Sequence, residues 1–190
     1  MLRRRLVVAL VALAGAWAPA SVRAGADGGT KATDAGASPA LADLPAILAA
    51  ARAPGARAVL INVWATWCDP CREELPDLIR FYRDHRADGL RLILVSADDP
   101  QDRAEVTRLL AAAGAPPDTP SFIKTGDDMK FIDGLDRRWS GAIPASFLYD
   151  GRGRKRRWWA GPVTARDLDG AVAGLLPARP PEAPPERRPK

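Results

Sequence analysis

The stretch Ala58-Val59-Leu60-Ile61-Asn62-Val63-Trp64-Ala65-Thr66-Trp67-Cys68-Asp69-Pro70-Cys71-Arg72-Glu73-Glu74-Leu75-Pro76 decides the fold. Its first seven residues are apolar and β-branched apart from Asn62, and they predict a buried strand. From Arg72 to Tyr82 apolar residues stand at 75, 78, 79 and 82, which is helical spacing. A Cys-x-x-Cys pair therefore sits where a strand hands over to a helix, and it uses the only 2 cysteines of the 190-residue chain. Unpaired N–H groups and the dipole at a helix N-terminus favour an anion, and the thiolate is cysteine's reactive form. Cys68, at the turn, is expected to be the exposed nucleophile. Cys71, one turn in, is expected to be more buried and to resolve a mixed disulfide formed at Cys68. Pro70 falls in the first helical turn, where a missing N–H costs little. Pro76, beyond that turn, is expected to kink the helix.

The rest of the chain predicts alternating elements. Leu41 to Ala53 has helical spacing and ends at Pro54-Gly55. After the Cys helix, which runs to about His85, Leu90 to Ala97 reads as a second buried strand. Asp98-Asp99-Pro100 starts a helix over 101–113, stopped by Gly114. Strand, helix and strand in that order imply a parallel crossover. A short strand over 121–124 and a short helix over 129–135, capped by Asp127 or Asp128, come next. Residues 125–141 either shape a binding surface or cover the core. Pro144 precedes an apolar strand, Ala145 to Asp150. A Gly151-Arg152-Gly153 turn leads to a basic edge strand, Lys155 to Ala160. Thr164 opens a last helix, expected to run to Leu176.

The termini differ in composition. Residues 1–24 pair Arg3-Arg4-Arg5 with a short apolar run and a small-residue site at Val22-Arg23-Ala24, as a secretory signal does. An uncleaved membrane anchor is the alternative, although about 20 apolar residues are needed to span a bilayer. Residues 25–40 read as a flexible linker, and 177–190, with 6 prolines, as a disordered tail. The formal net charge is +5, but residues 1–24 hold four arginines and no acid. Without them 24 basic residues face 23 acidic ones, so a nucleic-acid partner is not expected. With 2 cysteines and the single His85 there is no zinc ligand set, and no metal is expected. His85 is expected to face water, Trp67 to form a surface platform beside Cys68, and Trp64 to be core.

The run Asn62 to Pro76, through Trp64-Ala65-x-Trp67-Cys68-x-Pro70-Cys71 and Glu74-Leu75-Pro76, resembles the active-site segment of TlpA/ResA-like thiol–disulfide oxidoreductases. The resemblance covers about residues 41–176. It implies an α/β, thioredoxin-like fold with a central mixed β-sheet flanked by helices on both faces. It also implies a protein-disulfide reductase of the cell envelope, exported to the periplasm or another extracytoplasmic space. The implied clients are disulfide-containing envelope proteins, cytochrome c maturation is a typical duty, and electrons come from a transmembrane donor of the DsbD/CcdA type. No cofactor is expected beyond the redox-active Cys68–Cys71 disulfide. Pro144 takes the family's cis-proline place, which leaves the Ile143 backbone free for substrate, with Trp67 beside it.

Asn62 replaces the buried aspartate of thioredoxins proper. Glu74, three residues after Cys71 on one helix face, is then either the proton shuttle for Cys71 or a solvated first-turn acid. Glu73 is expected to be solvated. A carboxylate at Asp69 opposes the Cys68 thiolate and so favours a reductant. Two other functions remain open: a disulfide-forming oxidant, and a copper-handling, Sco-like protein using the two cysteines as soft ligands.

Overall fold

The computed structural model describes residues 37–178. The elements run β1 (Ala40–Ala42), α1 (Leu44–Arg52), β2 (Ala58–Trp64), α2 (Asp69–His85), β3 (Leu90–Ser96), α3 (Arg103–Ala112), β4 (Ser121–Lys124), α4 (Asp128–Leu135), β5 (Ala145–Asp150), β6 (Lys155–Ala160) and α5 (Ala165–Val172). They form one mixed sheet in the order β1-β4-β3-β2-β5-β6. β2 pairs parallel with β3 and antiparallel with β5, so both its edges are occupied. All seven of its residues are buried. A strand covered on both faces must be apolar throughout, which explains the unbroken run in the sequence.

Alternate residues of β2 and β3 serve two cores. Leu60, Trp64, Leu92 and Leu94 pack with Leu75, Leu78 and Ile79 of α2, Val106 and Leu110 of α3, and Leu168 and Val172 of α5. Val59, Ile61, Val63, Ile93 and Val95 pack on the other face with Ile47 of α1, Phe131 and Leu135 of α4, Trp139 and Phe147. The expected mixed sheet with helices on both faces is present. Phe147 is fully buried, edge-on to Trp139 at 5.2 Å and stacked on Trp158 at 6.2 Å between centroids. Phe147→Ala is expected to cost about 3–5 kcal/mol, since the rigid sheet cannot close the cavity. Urea unfolding should show a lower midpoint at unchanged slope, and a loss below about 1 kcal/mol would contradict this packing.

Several boundaries differ from the sequence reading. The first helix begins at Leu44, not Leu41, because Asp43 caps it by accepting from the Ala46 N–H at 3.0 Å. Leu41 lies instead in β1, which pairs parallel with β4. The segment read as linker therefore ends before residue 40, and Ala37 is already fully buried. The last helix stops at Val172 because Gly174 adopts φ +80°, and the N–H groups of Leu175 and Leu176 turn back to the Val172 carbonyl. Leu176 still reaches the core. His85 does not face water freely: its ring lies 4.4 Å from that of Phe81, with Asp88 and Asp169 on either side at 3.5 and 3.6 Å. The secretory leader expected over 1–24 and the disordered tail expected over 177–190 fall on residues outside the described ones, apart from 177 and 178. Among the described residues no helix is long and apolar enough to cross a membrane.

Candidate active site

The C-terminal ends of β2 and β3 lie side by side, with the Ala97 N–H bonded to the Trp64 carbonyl at 2.8 Å. Ligand sites in α/β sheets form at such strand ends. Residues 65–68 make a turn closed by the Cys68 N–H and the Ala65 carbonyl at 3.2 Å, and α2 starts at once. Cys68 is the N-cap. Its Sγ accepts from the Cys71 N–H at 3.3 Å, so sulfur takes the place of the usual capping oxygen. Cys68 and Cys71 form a disulfide with Cα atoms 5.3 Å apart. Cys68 is 6% exposed and Cys71 1%. The order is the expected one, but the expected exposed nucleophile is nearly covered.

Pro70 lies in the first turn of α2, and the helix continues through Pro76. Asp69 is exposed and paired with Arg72 at 2.9 Å. The charge that Cys68 feels from it is that of a solvated ion pair, which weakens the tuning expected of a lone carboxylate. Trp67 is 67% exposed beside the disulfide, Trp64 is core, and Glu73 is exposed.

Glu74 is buried, at 8% exposure, in the first two turns of α2. Asn62 Nδ2 donates to its Oε1 at 2.7 Å and to Ser146 Oγ at 3.1 Å. The Val163 N–H donates to Oε2 at 2.8 Å. Burial pushes the Glu74 carboxyl up to about 7, and the bonds from Val163 and Asn62 pull it back only in part. A carboxyl poised near neutrality, one turn from the inner cysteine, can take up or return a proton. Asn62 carries no charge; its amide holds the Glu74 carboxyl in place.

The Ile143–Pro144 bond is cis. Among the described residues the Ile143 backbone makes no hydrogen bond to other backbone, whereas the Pro144 carbonyl is taken by the Gly161 N–H at 2.8 Å. Ile143 and Trp67 line one groove of about 520 Å³ together with Phe131, Ile132, Trp139, Lys124 and Asp128. The 125–141 segment covers the core, as one of its two readings has it, and it also lines this groove. Phe131, Leu135 and Trp139 cover the core, and their neighbours shape the groove. His85 ends the helix that Cys68 begins, about 25 Å along its axis, and cannot join the two sulfurs.

Sequence reasoning missed Ser146, Val163 and the cluster of Thr66, Ser96 and Asp98. Asp98 read as a helix start. The available signal was its position: directly after β3, where a parallel neighbour of β2 must end beside the Cys turn.

The chain matches the AhpC/TSA family over residues 40–154. It is 35% identical over 119 residues to the thiol:disulfide interchange protein HelX of Rhodobacter capsulatus, covering 60% of this chain and 61% of that one. It is 26% identical over 128 residues to the thiol-disulfide oxidoreductase ResA of Bacillus cereus, covering 64% and 65%. The match thus spans under two thirds of each relative's length. A crystal structure of a thiol:disulfide interchange protein of the thioredoxin family from Chlorobium tepidum superposes with a TM-score of 0.51 at 24% identity, covering 63% of this chain and 79% of that one. The fold is thioredoxin-like.

Proposed function

The chain belongs to the AhpC/TSA family, with a TlpA/ResA-like thioredoxin fold, and from that premise we propose that it is an extracytoplasmic thiol–disulfide oxidoreductase that reduces disulfides in envelope proteins. One observation carries the reading: a Cys-x-x-Cys pair at a helix N-terminus with a buried carboxyl, poised near neutrality, one turn behind the inner cysteine.

In the reduced protein the Cys68 thiolate attacks one sulfur of a client disulfide. A Cys68–client bond forms, the client's S–S bond breaks, and the departing client thiolate takes a proton. Cys71 gives its proton to Glu74 and attacks Cys68 Sγ. The Cys68–Cys71 bond forms, the second client sulfur leaves as a thiolate and takes the proton back from Glu74, and two electrons have passed to the client. The Cys71 N–H that caps Cys68, with the α2 dipole, stabilises the Cys68 thiolate that makes the first attack. An extended client segment pairs with the open Ile143 backbone as an added strand, with Trp67 flanking it. The resulting disulfide needs a dithiol donor, for which a membrane carrier of the DsbD/CcdA type is the fitting class.

The test uses the chemically reduced protein and a peptide with one intramolecular disulfide. The expected result is two peptide thiols released per protein oxidised, with the Cys68–Cys71 bond re-formed. Oxidation of the protein by air alone, with the peptide untouched, would contradict the proposal.

A further inference from the structure

The sequence points to Asp69 as the acid that tunes the couple, but Asp69 is solvated and paired. The buried carboxylate beside the reactive turn belongs to Asp98, which is 4% exposed. Both its oxygens accept from the Thr66 N–H, at 3.0 and 3.2 Å. Its Oδ1 accepts from Thr66 Oγ1 at 2.6 Å, and its Oδ2 from Ser96 Oγ at 2.6 Å. Ser96 Oγ in turn accepts from the Asp98 N–H at 3.0 Å. Every group around this carboxylate is a donor to it, as an acceptor-only anion requires. Among the described residues no cation lies within ion-pair range of it; Lys124, on the same groove, is held by Asp128.

Thr66 is the second residue of the 65–68 turn, so the clamp fixes the segment that carries Trp67 and Cys68. Asp98 is anchored on the end of β3, and β3 is bound to β2 along its full length. The turn is thereby locked to the rigid sheet rather than left to its own single hydrogen bond.

We propose that Asp98 is a positioning residue: it clamps the Ala65–Cys68 turn to the end of β3, fixing how Cys68 is presented, and it holds a negative charge against Thr66, two residues before Cys68, that favours the disulfide over the dithiol. The inference rests on the redox role of the Cys68–Cys71 pair, not on the identity of the client. A buried charge with no cation partner among the described residues is screened less than the solvated, paired one at Asp69.

Three substitutions, Asp98→Asn, Asp98→Ala and Thr66→Val, separate the two effects. Asp98→Asn keeps the shape: its carbonyl can accept from Thr66 and its amide can donate to Ser96 Oγ, but the charge is gone. Asp98→Ala removes the anchor as well and leaves the Thr66 N–H without its acceptor. Each purified protein is equilibrated with glutathione buffers, and the reduced form is titrated by rate of alkylation against pH. For Asp98→Asn the equilibrium constant should move about tenfold toward the dithiol, about 30 mV, with alkylation shifted to lower pH. For Asp98→Ala the second-order rate with a disulfide peptide should also fall about tenfold. Thr66→Val, which removes only the hydroxyl bond and keeps the charge, should slow the peptide reaction but leave the equilibrium within twofold of wild type. An equilibrium constant within twofold of wild type in Asp98→Asn, with only a lower melting temperature, would make Asp98 a merely structural residue and overturn the proposal. If the wild-type couple itself fails to exchange with glutathione, the redox reading fails instead, and the two failures are told apart.

Discussion

Cys71→Ser is expected to stop turnover with the client still bound through Cys68. The serine hydroxyl cannot displace the client thiol, so the mixed disulfide accumulates as a stable covalent adduct. Cys71 is nearly inaccessible and its Cα lies 5.3 Å from that of Cys68, which suits attack on Cys68 and not on a client. Losing so favourably placed a nucleophile leaves release to an external thiol, and steady-state turnover should fall by about 10³-fold or more. Cys68→Ser should lose turnover equally but form no adduct. The check is mass spectrometry of the trapped species with a disulfide peptide. An adduct on Cys71 in the Cys68→Ser protein, at a rate like that of wild type, would reverse the assigned roles.

Glu74→Gln is expected to slow the second step and to change how stability depends on pH. In the folded protein the carboxyl titrates at about 7, against 4.5 for the free group. The folded state therefore binds its proton more tightly than the unfolded state does. The stability from this group is fully present below pH 4.5 and is lost as pH rises through about 7. The shift corresponds to about 3 kcal/mol. Wild type and variant should thus diverge in slope between those two pH values, the glutamine protein showing the flatter profile. Comparing the two cancels the carboxylates with lowered values, such as Asp150 and Asp167, which act in the opposite sense at lower pH. In catalysis, the release of client from the mixed disulfide should slow about 10²-fold at neutral pH, and an inflection near pH 7 should vanish. Parallel stability slopes would mean that Glu74 is not titrating in this range.

Much of the site was legible because it is local. Cys68, Pro70 and Cys71 stand at a strand-to-helix junction that apolar periodicity alone defines, and Glu74 follows at helical spacing. The central strand was legible because full burial leaves only apolar residues, so Asn62 stood out. What could not be read depends on contacts between distant segments. Ser146 and Val163 reach Asn62 and Glu74 only after β5 has paired with β2 and the segment after β6 has met α2. Asp98 carried the composition of a helix start, and its role as an anchor for Thr66 needs the ends of β2 and β3 to meet. The first strand was hidden in a helical spacing whose true start is set by the Asp43 cap. At the last helix, Leu175 and Leu176 kept the apolar spacing while Gly174 turned the backbone away.

The most direct measurement is the equilibrium reduction potential of the Cys68–Cys71 pair against a glutathione or dithiothreitol buffer. A reductant that must be supplied with electrons is expected to lie near the thioredoxin value, about −270 mV. A value near about −120 mV, that of a strong disulfide donor, would mean that the Cys71 N–H and the helix dipole outweigh Asp98 and Asp69 at Cys68, and would contradict the proposed direction of electron flow.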